Sequence, residues 1–313
     1  MGTPEFAVET LKALVENDYN VVAVVTQPDK PVGRHQTEMQ PSQVKQYAVA
    51  HGLPVLQPEK MKDPEFVEQL RSYNANLQVV VAFRMLPEVV WAMPEYGTFN
   101  VHAALLPQYR GAAPINWAVI NGETQTGVTT FFLDHDIDTG RIILKKTFDI
   151  PDEADVEYVY DGLMHLGAQI CLETLEAIIA ANGHPDSIPQ DSVLDGSAIK
   201  PAPKIFKETC EIDWQKTAKQ VYDFVRGLSP YPGAWTTLVA PDGKETVLKI
   251  YKTRKTGKPG KGIGTITIEG KALCVSAADE QLEIVELQLA GKKRMMARDF
   301  LNGMKQIEDY RVK

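Results

Sequence analysis

Two polar side chains, Asn100 and His102, lie two residues apart in the apolar segment Thr98–His102 (TFNVH). On a β-strand, alternate residues face the same side, so the amide and the imidazole would be neighbours. Such a pair suits the polarisation of a carbonyl group and the transfer of a proton. The same spacing also arises when a structural Asn and a buried His meet by chance, and Asn-x-His alone favours that structural interpretation.

A third candidate group lies in the acidic loop 133–141 (LDHDIDTGR), which follows a strand-like segment at 128–132. Consecutive acids suggest a calcium loop. The EF-hand template fails, however, because its sixth position is Thr139 and its twelfth is Lys145. Asp134, His135, Asp136 and Asp138 could bind a metal with another geometry, but nothing specific in the sequence supports this, and no metal is expected. A loop that ends Asp-Thr-Gly beyond a strand is suited to presenting a single carboxylate, here that of Asp138.

These residues need a framework that brings strand ends together, and the first two thirds of the sequence predict one. Continuous apolar runs at 20–26, 77–83 and Thr98–His102 have strand length, and helical stretches separate them. Runs that are apolar on both faces indicate a mostly parallel sheet covered on both sides. The predicted fold class is a doubly wound α/β domain, in which ligands bind beyond the carboxyl ends of the strands.

The sequence opens close to its first predicted helix. Thr3 is the expected N-cap and Pro4 the first helical residue. No strand precedes this helix, although the first strand of such a sheet is usually central. We therefore expect the natural start to lie several residues upstream of Met1, a hypothesis that mass spectrometry of the native protein tests.

The last third of the sequence predicts a different domain. Proline and glycine are frequent at 183–204, which indicates a linker. Short strand-like segments then follow at 234–239, 246–251, 264–268, 273–277 and 282–288. Such a series, with Asp-Gly and Glu-Gly turns, predicts a small β-barrel of the oligonucleotide-binding kind. The predicted domains are a catalytic domain at 1–183, a linker at 184–204 and a β-barrel at 205–313.

The charge is distributed unevenly along the chain. The net charge is −8, but 201–313 holds 20 Lys and Arg against 14 Asp and Glu, whereas 1–200 holds 13 against 27. An acidic N-terminal part and a basic C-terminal part suggest that the two parts have different functions. On charge alone, a chance asymmetry of surface residues explains the pattern equally well. Three widely spaced cysteines without a CxxC argue against a disulfide framework and for a reducing cytoplasm. No apolar run is long enough to span a bilayer.

Together the two polar segments resemble a known family. NVHAALLPQYRGAAP at 100–114, followed by DTG at 138–140, is similar to the folate-dependent formyltransferases, which have Asn-x-His-x-Ser-Leu-Leu-Pro and an Asp-x-Gly loop. That family transfers a formyl group from 10-formyltetrahydrofolate to an amine. Further stretches resemble the members that formylate initiator methionyl-tRNA: GTPEFA, TQPDKPVGR, RGAAPINWAV, IDW, SPYPGAW and LQLAGKKRM. The likeness runs over nearly the whole chain, second domain included.

The resemblance implies a role for each of the three polar residues. Asn100 would hold the formyl oxygen and donate to the oxyanion of the tetrahedral intermediate, which is worth about 3 kcal/mol in comparable acyl transfers. His102 would share that task and shuttle a proton. Asp138 would orient His102 and help to remove a proton from the attacking amine, because only a neutral amine can attack.

The resemblance also implies residues that bind the 10-formyltetrahydrofolate co-substrate. These are Phe83, Ala104, Leu105, Leu106 and Pro107. Ala104 stands where the family usually has Ser, and Phe83-Arg84 stands where Tyr-Gly is more common. A folate contact made through the backbone would survive the absence of the Ser hydroxyl, whereas one made through the hydroxyl would not.

For tRNA, the loop at 27–43 would approach the acceptor end, with Arg34 as its functional arginine, although the residues after Arg34 are less basic than in relatives. In the second domain, the expected tRNA-binding residues are Lys292, Lys293 and Arg294. A second basic run comprises Lys252, Arg254, Lys255, Lys258 and Lys261. Such residues would contact phosphates and make binding salt-dependent; solvated charged turns are the alternative interpretation.

Three other functions compete with this one. A formyltransferase for a small-molecule amine would share the three polar residues but would not need the second domain. A non-catalytic RNA-binding protein would not need all three polar groups. A nucleotide-dependent oxidoreductase is disfavoured because the opening turn, GTPEF, lacks GxGxxG. The sequence therefore predicts a monomeric, cytoplasmic formyltransferase without a metal.

Overall fold

The computed structural model describes residues 1–32, 38–194, 196–304 and 306–313. The chain divides into two compact units. The first unit comprises Met1–Gly111, Gln125–Asp149 and Tyr160–Pro201, and the second comprises Ala112–Thr124, Ile150–Val159 and Ala202–Lys313. The chain therefore contributes two short segments to the second unit before its long C-terminal part, and the predicted boundaries at 183 and 204 stay a prediction.

Helices and strands alternate in the first part of the chain, and strands predominate in the last part. The helices are α1 (Glu5–Glu16), α2 (Gln43–Ala50), α3 (Pro64–Ser72), α4 (Glu88–Trp91), α5 (Pro114–Ile120), α6 (Val156–Ala180), α7 (Ala218–Gly227) and α8 (Ala297–Gly303). Short 3-10 helices lie at Gln190–Val193, Glu208–Cys210 and Ile307–Asp309. The strands are β1 (Val24–Val25), β2 (Lys30–Val32), β3 (Glu38–Gln40), β4 (Val55–Leu56), β5 (Gln78–Val81), β6 (Thr98–His102), β7 (Gln125–Phe132), β8 (Ile142–Asp149), β9 (Ala234–Val239), β10 (Glu245–Pro259), β11 (Ile266–Glu269), β12 (Ala272–Ser276), β13 (Glu280–Leu289), β14 (Met295–Met296) and β15 (Arg311–Val312).

The first unit is built around a four-stranded sheet with the order β5, β6, β7 and β8. β5 and β6 are parallel, whereas β6 with β7 and β7 with β8 are antiparallel. β1 and β4 form a second parallel pair. Gly2 links the two sheets, because its N–H donates to Val25 O at 3.0 Å and the residue bridges Val81 in parallel. The predicted doubly wound α/β fold is confirmed, with antiparallel strands at the β7–β8 edge.

The helix α6 is 25 residues long and apolar enough, by length and composition alone, to cross a membrane. Several of its apolar residues pack in the core: Leu163, Ile170 and Ile178 are fully buried. The helix also meets the sheet through a hydrogen bond of 2.8 Å between the hydroxyls of Thr174 and Thr130. These features are those of a core helix in a compact domain.

The structure corrects two local predictions and confirms a third. The strand at Thr98–His102 has the predicted bounds. The run at 20–26 is a strand only at Val24–Val25, where it pairs with β4. The first helix begins at Glu5 with Pro4 as its N-cap residue, and the Thr3 hydroxyl is buried without a hydrogen-bond partner in the described chain. The predicted Thr3 cap is therefore wrong, since that hydroxyl accepts no helical N–H.

The second unit contains a curled antiparallel sheet with the order β11, β12, β13, β10, β9 and β15, and β14 added beside β13. Its two ends meet, because Thr265 bridges Arg311 and the Val312 N–H donates to Gly264 O at 3.0 Å. Curling buries an apolar core that includes Trp214, Ile250 and Leu287. The predicted barrel-like second domain is confirmed.

Candidate active site

Asn100 and His102 lie on β6, between β5 and β7. Phe99 and Val101 alternate with them and are 0% and 2% exposed. Because β6 is a central strand with apolar residues packed on one face, its register is fixed and the two polar side chains share the other face. His102 is itself buried, at 6% exposure. Burial of polar groups at a strand end requires specific partners.

His102 has one such partner in the loop that follows β6. Its Nε2 lies 2.9 Å from the carbonyl oxygen of Tyr109. A carbonyl oxygen only accepts hydrogen bonds, so Nε2 carries the hydrogen in the neutral ring and Nδ1 is left as an acceptor. Nδ1 faces Asp138 Oδ2 at 3.9 Å. The imidazole is therefore oriented by a backbone atom, with its second nitrogen directed towards the carboxylate.

Asp138 comes from the β7–β8 loop, 36 positions further along the chain. Its backbone has φ +56°, a left-handed conformation that is uncommon for residues other than glycine. Its Oδ2 accepts the Gly111 N–H at 3.0 Å. Gly111 has φ +124°, which glycine adopts readily and which allows this approach. Asn100, His102 and Asp138, here called the polar edge, thus come from a strand end and one neighbouring loop.

Asn100 has an unusual environment within this polar edge. Its Oδ1 is buried and has no hydrogen-bond partner among the described residues. Buried side-chain oxygens in proteins are nearly always paired, so an orphan calls for an explanation. A ligand that supplies the missing partner at this point is the explanation that fits a polar edge at a strand end.

The loop after His102 is held by two residues that the sequence did not single out. Thr129 Oγ1 donates to Ala104 O at 2.7 Å and accepts the Leu106 N–H at 3.1 Å. Lys145 Nζ donates to Leu106 O at 3.0 Å, and burial lowers the pKa of this lysine. Only the alternation of residues on β7 and β8 signals them in the sequence, and it does not identify their partners.

The predicted folate residues are mostly buried. Ala104 and Leu106 are fully buried, Pro107 is also buried, and Leu105 is partly exposed. The Leu106–Pro107 bond is cis. Phe83 is half-buried and packs against a core cluster of the first unit. The loop from Ala104 to Pro107 therefore offers surface chiefly at Leu105.

Arg84, one of the residues that depart from the family pattern, is held close to Phe83. Its guanidinium lies 5.6 Å from the centre of the Phe83 ring. The same group donates to Glu59 O at 2.9 Å and to Pro58 O. Phe83 therefore has a fixed cation beside its ring.

The predicted tRNA-binding residues fall into two groups. Arg34 lies outside the described residues. Lys292 and Lys293 are exposed in the turn between β13 and β14, whereas Arg294 forms two bonds to Glu286, at 2.6 and 2.7 Å. Arg294 also stacks on Tyr251 at 4.1 Å from the ring centre. The Glu286 carboxylate raises the pKa of Arg294.

The second basic run is also largely paired with acids. Arg254 contacts Glu283 at 2.8 Å, Lys255 contacts Asp152 at 2.6 Å, and Lys258 and Lys261 both contact Glu269. We call this run together with the β13–β14 turn the basic surface; its residues are Lys252, Arg254, Lys255, Lys258, Lys261, Lys292, Lys293 and Arg294. Ion pairing within the second unit therefore offsets much of its positive charge.

The three cysteines and the acidic loop 133–141 have structural surroundings in the described part of the chain. Cys171, Cys210 and Cys274 are all buried, and burial raises the pKa of Cys171 to about 12. No group of three or more His, Cys, Asp or Glu side chains in the described ranges is placed to hold a metal ion. In the acidic loop, Asp134 Oδ1 instead accepts the Thr139 hydroxyl at 2.8 Å.

An amide, an imidazole and a carboxylate at the end of a strand in a doubly wound sheet are groups suited to acyl-type group transfer. The particular family follows from comparison. The chain belongs to the formyl transferase family: the model described as formyl transferase matches residues 1–175, and the model described as formyl transferase, C-terminal domain, matches residues 204–305. It is therefore an enzyme that transfers formyl groups.

Curated relatives match over the whole chain. A methionyl-tRNA formyltransferase of Parabacteroides distasonis is 59% identical, covering 100% of this chain and 97% of the relative. One of Bacteroides fragilis is 55% identical, covering 100% and 96%. Among solved structures, the sugar 3N-formyltransferase WlaRD, crystallised with dTDP and 5-N-formyl-THF, has a TM-score of 0.63 at 18% identity, covering 93% of this chain and 97% of that one. This last likeness concerns the fold alone.

Proposed function

We propose that this enzyme transfers the formyl group of 10-formyltetrahydrofolate to the free amino group of initiator methionyl-tRNA and so supports the initiation of protein synthesis. The observation that carries the proposal is the identity of 55–59% to methionyl-tRNA formyltransferases over the full length of the chain. The identity extends over the basic second domain, which a formyltransferase for a small-molecule amine would not need.

The polar edge supports a direct transfer between the two substrates. The neutral amine attacks the formyl carbon, and the electrons of the C=O bond move to its oxygen. We assign Asn100 as the donor to the developing oxyanion: its Oδ1 is buried without a partner among the described residues, and rotation of the amide brings its NH₂ group to the same position. A donor of this kind, held in place before the reaction, lowers the barrier by about 3 kcal/mol.

The proton of the attacking amine goes to the His102–Asp138 pair. With Nε2–H bonded to Tyr109 O, the Nδ1 lone pair faces the carboxylate of Asp138 at 3.9 Å. The neutral imidazole offers only this nitrogen as a base, and the neighbouring carboxylate stabilises the positive charge of the protonated ring. The pair therefore accepts the proton from the amine and returns it to N10 of the folate as the carbon–N10 bond breaks, which releases tetrahydrofolate.

The folate co-substrate lies along the loop from Ala104 to Pro107 and beside Phe83. Thr129 and Lys145 occupy the Ala104 and Leu106 carbonyls and the Leu106 N–H. Because Ala104 and Leu106 are fully buried, the folate meets the exposed part of Leu105. The Ala104 departure costs little in this arrangement, because that side chain is fully buried.

The tRNA binds through its phosphates. Lys292 and Lys293, which are exposed, contribute directly, and Arg34 contributes at the acceptor end. Arg294 contributes less, because Glu286 holds its guanidinium through two bonds. The protein acts as a cytoplasmic monomer and requires no metal.

The test is a formylation assay with 10-formyltetrahydrofolate and charged initiator tRNA. We expect formyl-methionyl-tRNA to form, and free methionine or amino sugars to be poor acceptors. If the enzyme formylated a small amine and left the charged tRNA unmodified, the assignment of the acceptor would be wrong, while the formyl-transfer chemistry would stand.

A further inference from the structure

Gln190 is 3% exposed although it lies in the proline-rich segment that the sequence predicts as a linker. It belongs to a stretch of the first unit, residues 187–194 and 196–200, which we call the strap. A glutamine is rarely buried unless both ends of its amide are paired. Its partners therefore indicate what the burial achieves.

Both ends of the Gln190 amide are fully engaged with the loops around the polar edge. Nε2 donates to Asp138 O at 2.8 Å and to Gly140 O at 2.9 Å. Oε1 accepts two bonds from Arg110, at 3.0 and 2.7 Å. Carbonyl oxygens only accept and a guanidinium only donates, so these partners permit only one orientation of the amide.

The hydrogen bonds from Gln190 hold the backbone at Asp138 and Gly140, from which the Asp138 carboxylate extends. Asp138 has φ +56°, and Gln190 holds its carbonyl and that of Gly140 together. Arg110 directly follows Tyr109, whose carbonyl orients His102. One buried amide therefore connects the loop that carries Asp138 with the loop that orients His102.

The rest of the strap is anchored to the start of β8 and to the loop after β6. Ile188 and Ile142 exchange N–H···O bonds of 2.9 Å in both directions. The Tyr109 N–H donates to Lys200 O at 2.7 Å. The backbone of the strap is therefore held in place on both sides of Gln190. For this reason the Gln190 side chain can keep the loop that carries Asp138 at a set distance from the loop that orients His102.

We infer that Gln190 is a positioning residue for Asp138 in formyl transfer; the inference rests on the catalytic role proposed for Asp138. Gln190 does not touch the reacting atoms. It sets the position of the carboxylate relative to His102, and a displacement of 1 Å in a catalytic geometry costs about 10²-fold in rate.

The test compares kcat for Gln190→Leu, Asp138→Asn and the double variant, with the full-length protein and charged initiator tRNA. We expect Gln190→Leu to lower kcat by about 10²-fold, with the KM for tRNA little changed, since the tRNA contacts are elsewhere. In the Asp138→Asn background, Gln190→Leu should have almost no further effect, because residues that act as a unit are not additive. An equal further loss in the double variant would overturn the inference.

A second variant, Gln190→Glu, separates loss of positioning from loss of folding. Glu keeps the shape and the attraction to Arg110 but places an acceptor against two carbonyl oxygens, so we expect the protein to fold and kcat to fall. A normal kcat in Gln190→Glu would contradict the positioning role. A matched control is Gln281→Leu: Gln281 is 2% exposed in the second unit, and its Nε2 donates to Pro259 O at 2.9 Å. It should lower stability and leave kcat near that of the wild type.

The two hypotheses fail differently in this design. If Asp138→Asn retained full kcat, the role proposed for Asp138 would be wrong, and the inference about Gln190 would lose its basis. If Asp138→Asn were crippled while Gln190→Leu retained normal kcat, only the positioning role would be wrong.

Discussion

The polar edge of the first unit and the basic surface of the second use polar side chains in opposite ways. At the polar edge, His102 and Asp138 are largely buried, and backbone atoms of Tyr109 and Gly111 bond to them. On the basic surface, the cations are mostly exposed, and several pair with acids. A buried group left unsatisfied costs about 1–3 kcal/mol, whereas an exposed ion pair contributes about 0–1 kcal/mol. The geometry of the polar edge therefore depends on a few individual hydrogen bonds, whereas the basic surface depends on the sum of many weak ion pairs.

The largest expected effect comes from removing a member of the polar edge. Asn100→Ala, His102→Ala and Asp138→Ala should each lower kcat by about 10²–10⁴-fold, because each removes a proton-transfer or oxyanion-stabilising group. Binding of tRNA, measured by filter retention, should change little. His165→Ala is the matched control, since His165 is exposed on α6, where its ring lies 3.9 Å from Glu9. Normal turnover in one of the first three variants would remove that residue from the mechanism.

An intermediate effect is expected at the loop behind the polar edge. Thr129→Val keeps the shape of the side chain but leaves Ala104 O and the Leu106 N–H without their bonds to Thr129. We expect a loss of about 1–3 kcal/mol in the free energy of unfolding and a higher KM for the folate. Thermal or urea unfolding and steady-state kinetics measure the two changes.

The matched control lies on the same strand. Thr126 is 3% exposed, and its hydroxyl has no partner in the described chain. Thr126→Val removes a polar atom that forms no bond, so this variant should be as stable as the wild type or more stable. Equal losses in the two variants would show that burial alone, and not the bonds of Thr129, determines the effect.

The smallest effects are expected on the basic surface. Lys292→Ala and Lys293→Ala should each weaken tRNA binding modestly, leave kcat unchanged, and reduce the slope of log K against log salt by about 0.7–0.9 for each phosphate that is no longer neutralised. Arg254→Ala is the comparison, because its guanidinium pairs with Glu283 at 2.8 Å. We expect this variant to alter the salt slope less. A larger change in Arg254→Ala than in the lysine variants would reverse our ranking of the basic surface.

Sequence patterns predicted elements better than they predicted contacts. The strands at Thr98–His102 and Ala234–Val239 have the predicted bounds, because burial on both faces or strict alternation leaves a clear local signal. The prediction that Thr3 caps the first helix was wrong, because the helix begins at Glu5 and Pro4 is its N-cap residue. Ser and Thr are preferred at this position, but they do not determine where a helix begins. Local patterns thus identify elements but not the residues that hold them in place.

The residues that hold the loops around the polar edge could not be predicted from the sequence, because their partners are distant along the chain. Thr129 bonds to residues about 25 positions away, and Gln190 bonds to residues 50 to 80 positions away. No periodicity links such positions, and Gln190 lies in a segment whose prolines predict a linker. The pairing of Arg254 with Glu283 is hidden in the same way, because it depends on the register of β10 against β13.

The sequence by itself determined the family, the chemistry-bearing types of Asn100, His102 and Asp138, and a sheet that ends beside them. The family follows from the likeness of the whole sequence to known formyltransferases, and the other two properties follow from residue type and local spacing. Only the tertiary structure decided which ring nitrogen of His102 faces Asp138, which buried amide holds the Asp138 loop, and which cations are already neutralised by a neighbouring acid. Each of these depends on distances of about 3 Å between segments distant in the chain, which are fixed only when the core has packed.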